Sequence, residues 1–234
     1  MTELIIAADV SEEAKLGRLM VALQDQPVWL KVGLEALSAF GLDLVRRIRA
    51  EGFKVFADVK FHDIPNTVGA ASKVLAATGA NLFNVHCSGG RAMCEAARRQ
   101  SEASAAALGL PRPKVIGVTV LTSLGPEDLA AIGMTGTPAD MAVRLARVGR
   151  EGGLDGVVCS VHEAAAIKAA CGADFLTVCP GIRPAGSGAQ DQKRVATPAD
   201  AVQAGADYIV VGRPVTGADD PAAACRTILE ELGR

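Results

Sequence analysis

Several common ingredients are scarce in this sequence. Aromatic residues make up 3% of the 234, histidine occurs three times, and no apolar run approaches the roughly 20 residues of a membrane-spanning helix. With few aromatics and a net charge of -2, the chain has neither the stacking surfaces nor the positive field that nucleic-acid binding uses. Its densest basic stretch, RRIRAEGFK, has the spacing of a solvated helix face. No H-x-H or H-x-x-x-H pair offers a metal site, and the six cysteines (Cys87, Cys94, Cys159, Cys171, Cys179 and Cys225) contain no C-x-x-C. Thiols so placed suit a reducing compartment better than a disulfide frame. The opening MTELIIAADVSEEAK lacks the basic flank and the length of a secretory signal, so a cytoplasmic protein without membrane or nucleic-acid partners is expected.

What the chain does have is alternation. Apolar runs rich in Val, Ile and Phe stand at LIIAA (4–8), VWLKV (28–32), KVFADV (54–59), NLFNVH (81–86), KVIGVTV (114–120), GVVCS (156–160), FLTVC (175–179) and YIVVG (208–212). Between them lie segments of helical periodicity such as EEAKLGRLMVAL, LSAFGLDLVRRIRA, TVGAASKVLAAT and AVRLARVGREG. Strands apolar along their whole length belong to a parallel sheet covered on both faces. Eight strand–helix units predict an α/β fold, a (β/α)8 TIM barrel forming a single domain over residues 1–234. An open dinucleotide-binding sheet would place a G-x-G-x-x-G turn after the first strand, where AADVSEE stands instead. The phrases ATGANLFNVH and QAGADYIVVG repeat a Gly-Ala step into a strand, in keeping with repeated βα units.

Chemistry in such a barrel sits at the C-terminal ends of the strands. Those ends deliver Asp9, Lys31, Asp58 and Lys60 with Asp63 just beyond, then His86, Thr119 and Thr122, Ser160 and His162, and finally Gly212 and Arg213. Asp58 and Lys60, two apart, share one side of a strand. Carboxylates beside a lysine keep it charged in a pocket that would otherwise strip its proton, and a lysine so held and aimed is a general acid. A structural salt-bridge cluster would give the same D-x-K-x-x-D; the rim position favours an active site. His86 reads equally as a rim residue or a catalyst, and His62 and His162 as structural or exposed.

A second feature suits an anion. In VVGRPVT, Gly212, Arg213 and Pro214 stand where the last strand turns into a helix, the usual phosphate position of this fold, although a plain strand-to-helix turn would read the same. The preceding loop, at about 180–197, is long and glycine-rich and carries Arg183, Gln190, Gln192, Lys193 and Arg194, the make-up of a lid or binding loop or, alternatively, of a floppy surface loop.

DVKFHDIPNTV, followed in order by VTVLTS, PGIRP, DQKR and GADYIVVGRPVT, closely resembles the orotidine 5'-phosphate decarboxylase family over essentially the whole chain. The resemblance implies a carboxy-lyase that converts orotidine 5'-phosphate to uridine 5'-monophosphate without cofactor or metal, through a C6 carbanion. It implies that Asp9 and Lys31 hold the ribose, that Asp58 faces the substrate carboxylate and that Lys60 gives the proton to C6. Thr122 would meet the pyrimidine, and Arg183, Gln192, Gly212 and Arg213 would take the phosphate. Asp63 and Thr67 would enter the neighbouring site of a homodimer. Magnesium-dependent sugar-phosphate barrels share D-x-K-x-x-D, but PGIRP and DQKR argue against them; a nucleotide-binding protein without turnover is the remaining alternative.

Overall fold

The computed structural model describes residues 1–184 and 196–233. All eight expected strands form: β1 (Glu3–Ala7), β2 (Val28–Val32), β3 (Lys54–Phe61), β4 (Leu82–His86), β5 (Lys114–Val118), β6 (Gly156–Val158), β7 (Leu176–Cys179) and β8 (Tyr208–Val211). They pair in parallel and in chain order, and β8 returns to β1, closing a (β/α)8 barrel. Alternation along each strand produces two apolar layers. Inward-facing Ile5, Trp29, Phe56, Leu82, Ile116, Val178, Tyr208 and Val210 fill the barrel, while Leu4, Leu30, Val55, Phe83 and Ile209 pack with the helices outside.

The helices described are α1 (Glu13–Leu23), α2 (Leu34–Phe40), α3 (Asp43–Ala50), α4 (Pro65–Ala76), α5 (Arg91–Ala107), α6 (Pro126–Ala131), α7 (Pro138–Glu151), α8 (Val161–Cys171), α9 (Pro198–Gln203), α10 (Arg213–Thr216) and α11 (Pro221–Glu231). The stretch LSAFGLDLVRRIRA, read as one helical segment, breaks into α2 and α3 because Gly41 turns left-handed at φ 72°. Two copies of Thr-Pro-Ala-Asp start α7 and α9 identically: the threonine hydroxyl accepts the N–H of the aspartate three residues on, and that carboxylate accepts the threonine N–H. Among the described residues no helix is long and apolar enough to cross a membrane.

The N-terminal rim is closed by a repeated device. Asn81, Asp155 and Asp207 stand just before β4, β6 and β8, and the backbone N–H of each bonds the carbonyl of Val55, Val115 or Thr177 on the preceding strand. Each side chain then accepts the N–H of that same residue, at 2.8, 2.7 and 2.7 Å respectively. The repeated Gly-Ala-Asn and Gly-Ala-Asp steps of the sequence are two instances of this closure. Arg112 grips Asp155 with both terminal nitrogens at 2.8 and 2.7 Å, and Lys168 holds Asp207 at 2.6 Å.

Candidate active site

Going up the inward faces, the side chains change from apolar to polar at the C-terminal rim: Ala7 gives way to Asp9, Trp29 to Lys31, Phe56 to Asp58 and Leu82 to Asn84. Because neighbouring strands run in register, these groups meet in one row. Lys31 Nζ donates to Asp9 at 2.8 Å and lies 3.3 Å from Asp58 Oδ2; Lys60 Nζ donates to Asp58 Oδ1 at 2.5 Å. The row therefore alternates in sign, Asp9–Lys31–Asp58–Lys60. Lys31 and Asp58 are buried. Burial alone would push the Asp58 carboxyl up, but the charges of Lys31 and Lys60, with hydrogen bonds from Lys60 and Asn84, hold it below the usual carboxylate range. Burial likewise works against the Lys31 ammonium, and Asp58 and Asp9 more than offset it, so its pKa is raised.

Asp58 and Lys60 do come together, though not by regular strand geometry. Pairing with β4 jumps from Ala57↔Phe83 to Phe61↔Val85, so the ladder is interrupted between them. Lys60 occupies this irregularity at φ 50°, the one non-glycine residue with positive φ among those described. Such a conformation costs about 1–3 kcal/mol and persists only where the surroundings enforce it. Here the side chain of Asn84 takes the place of the broken ladder: its Oδ1 accepts the Lys60 N–H at 2.7 Å and its Nδ2 donates to Asp58 Oδ1 at 2.7 Å. Asn84 was missed in the sequence. Its signal was an amide at an inward-facing position of an otherwise apolar strand, NLFNVH.

Asp63 lies apart from this row. Its carboxylate accepts the Ile64 N–H at 2.7 Å, and residues 62 to 67, Thr67 included, are all exposed. His62 and His86 stack beside Lys60 with ring centroids 5.2 Å apart. Burial, then the neighbouring charges of His62 and Lys60, lower the His86 pKa.

Two cavities meet at Lys31 and Asp58. One, of about 160 Å³, is lined mainly by apolar side chains such as Phe56, Val118, Val158 and Val178, with Thr122 on its wall and Lys60 at its charged end. The other, of about 440 Å³, runs from Asp9 and Lys31 to Arg183, Gly212, Arg213 and Thr216. Arg183 is buried with its Nε unpaired among the described residues, while Nη1 donates to the Ile182 carbonyl at 2.9 Å. Burial, then the charge of Arg213, pulls its pKa down, as for a cationic site built to receive an anion. Gln192 lies outside the described residues.

A closed parallel barrel with a small apolar slot, an alternating charged row at its mouth and two arginines beyond the last strand ends belongs to the (β/α)8-barrel enzymes of small phosphorylated substrates. Residues 2–228 match the family described as Orotidine 5'-phosphate decarboxylase / HUMPS, and the chain belongs to that family. It is 47% identical over 231 residues to the orotidine 5'-phosphate decarboxylase of Moorella thermoacetica, covering 98% of this chain and 92% of the relative. The enzyme of the same name from Nitratidesulfovibrio vulgaris is 53% identical over 214 residues, 88% of this chain and 84% of the relative. Among solved structures, orotidine 5'-phosphate decarboxylase from Lactobacillus acidophilus superposes with a TM-score of 0.88 at 35% identity, covering all of both chains.

Proposed function

We propose that the protein decarboxylates orotidine 5'-phosphate to uridine 5'-monophosphate in pyrimidine biosynthesis. The observation that carries this reading is the row Asp9–Lys31–Asp58–Lys60 at the junction of an apolar slot and an arginine-lined pocket. The slot takes the pyrimidine, with Thr122 at its edge. Asp9 and Lys31 hold the ribose hydroxyls, and Arg183, Gly212 and Arg213, with Gln192, hold the phosphate.

In the reaction the bond between C6 and the carboxylate carbon breaks, carbon dioxide leaves, and the electron pair stays on C6 in the ring plane, where the π system of the pyrimidine does not absorb it. The Lys60 ammonium beside that carbon stabilises the developing charge and then transfers its proton to C6. Asp58 faces the departing carboxylate and, with Lys31 and Lys60, fixes the charge of the row beside it. Binding energy from the remote phosphate, far from C6, helps assemble the site; most of the loop at about 180–197 expected to close over it lies outside the described residues.

The second half of the motif acts between subunits. Asp63 and Thr67, exposed on the turn leading into α4, enter the neighbouring site of a homodimer, and the adjoining Ile64, 66% exposed, is apolar surface suited to such an interface. Six buried cysteines, none of them in a disulfide, fit a cytoplasmic enzyme.

The test is the loss of orotidine 5'-phosphate absorbance on adding the protein in EDTA, with Lys60→Ala alongside. Conversion to uridine 5'-monophosphate by the native protein alone is expected. Absence of conversion, with magnesium-dependent turnover of a sugar phosphate instead, would assign the chain to the other branch of its family.

A further inference from the structure

Asn84 touches both members of the charged row that must act on the substrate, yet it stands behind them, 1% exposed, at an inward-facing position of β4. Its two bonds demand opposite ends of the amide. Oδ1 must face Lys60 because a backbone N–H can only donate, and Nδ2 must face Asp58 because an ionised carboxylate can only accept. A flipped amide would set donor against donor and oxygen against oxygen, so the side chain has a single allowed orientation.

Each bond answers a local need. Between Ala57 and Phe61 the ladder to β4 is interrupted, and the Lys60 N–H, turned by its positive φ, takes Asn84 Oδ1 as acceptor in place of a strand carbonyl. Asp58 Oδ1 receives the Lys60 ammonium as well as Nδ2 of Asn84, while Oδ2 faces Lys31. Three donors thus fix the plane of the carboxylate. A few residues earlier, Asn81 accepts the Val55 N–H in a similar way where the ladder is regular, but among the described residues its side chain has no charged partner comparable to Asp58.

We propose that Asn84 is a positioning residue for the decarboxylation. It clamps the left-handed Lys60 backbone and the Asp58 carboxylate in one rigid unit, which sets the ammonium against the scissile bond. This rests on the decarboxylase reading above. A clamp of this kind acts on bond breaking and leaves ground-state nucleotide binding alone, since the product lacks the carboxylate that Asp58 faces and is held through its ribose and phosphate.

The test compares the native protein with Asn84→Leu, which removes both bonds while keeping four side-chain heavy atoms branched at Cγ, and Asn84→Asp, which keeps the acceptor for Lys60 and replaces the donor to Asp58 by a like charge. For Asn84→Leu, kcat should fall by about 100-fold, the scale of a small misplacement of a reacting group, while KM and the calorimetric Kd for uridine 5'-monophosphate stay within about threefold. Asn84→Asp should fall at least about tenfold with the same unchanged Kd. If Asn84→Leu does not fold, Asn84→Asp, nearly identical in shape, decides alone. Variants that retain native kcat, or that lose kcat and product affinity in parallel, overturn the positioning role. Failure of the native control to decarboxylate would instead overturn the functional reading itself.

Discussion

The two ends of the barrel use the same residue types to opposite ends. At the N-terminal rim Asn81, Asp155 and Asp207 turn their side chains onto backbone N–H groups of the preceding strands, and Arg112 and Lys168 saturate the two carboxylates. Polar groups there extend the hydrogen-bond ladder past the last strand residue, and φ/ψ strain is absent from them. At the C-terminal rim Asp9, Lys31, Asp58 and Lys60 line two adjoining cavities, one of them from a left-handed backbone, and Arg183 keeps a buried Nε unpaired among the described residues. The difference separates what closes a barrel from what makes it react: one rim has spent its hydrogen-bonding capacity internally, and the other holds it toward a substrate.

Substitutions at the two rims should therefore fail in different ways. The largest effect belongs to Lys60→Ala, which removes both the stabilising charge and the proton donor; kcat should fall by about 10⁴-fold. Its melting temperature should drop less than that of a lower-rim variant, because removing Lys60 still leaves Asp58 paired with Lys31. A kcat within tenfold of native would remove Lys60 from the chemistry. Next, Arg183→Ala should raise the KM for orotidine 5'-phosphate by about 10–100-fold, the worth of a charge-assisted bond to phosphate, with steady-state kinetics as the readout. An unchanged KM would mean that this buried guanidinium serves the fold as its N-terminal counterparts do. Asp155→Ala reverses the pattern. It deprives Val115 of its side-chain acceptor and Arg112 of its partner, so denaturant unfolding should show a loss of about 2 kcal/mol, with kcat unchanged at temperatures where the protein stays folded. Lost activity in a folded Asp155→Ala protein would break the division between the rims.

The lower rim was hard to read from sequence for a physical reason. Asn81, Asp155 and Asp207 look like ordinary turn residues after a glycine, and the use of their side chains emerges only when two strands distant in the chain are set side by side. The strands themselves were legible because a doubly covered parallel strand has no polar face, and eight such runs leave little choice of architecture. Asp9, Lys31, Asp58 and Lys60 were legible for the complementary reason, as charges interrupting apolar runs at one consistent end. What the sequence could not convey was how Asp58 and Lys60 meet. Strict alternation brings them to one face, but the irregularity at 57–61, the positive φ of Lys60 and the support from Asn84 depend on β4, 24 residues away. The break at Gly41 was hidden because LSAFGLDLVRRIRA keeps apolar residues at helical spacing across the glycine.

The smallest effect reports on the active rim through a titration rather than through turnover. His86 stacks on His62 at the edge of the charged row, and its pKa lies below the ordinary imidazole value through burial first, then the positive charges of His62 and Lys60, against a smaller opposing pull from Asp58. A depressed folded-state pKa means the unfolded chain takes up this proton first. The stability that neutral His86 contributes is thus complete above its unfolded value and declines as the pH falls toward the folded one. NMR titration of the imidazole should give a midpoint below about 6.5, the ordinary histidine value. His62→Asn and Lys60→Ala should each move that midpoint upward, since each removes a positive neighbour while Asp58 remains. The lysine variant couples the measurement to the reacting row. An upward shift in both would show that Lys60 places its charge on the histidine stack as well as on Asp58; a midpoint unmoved by Lys60→Ala would mean that solvent screens the ammonium from its neighbours, and a lysine so screened would be poorly placed to stabilise a carbanion.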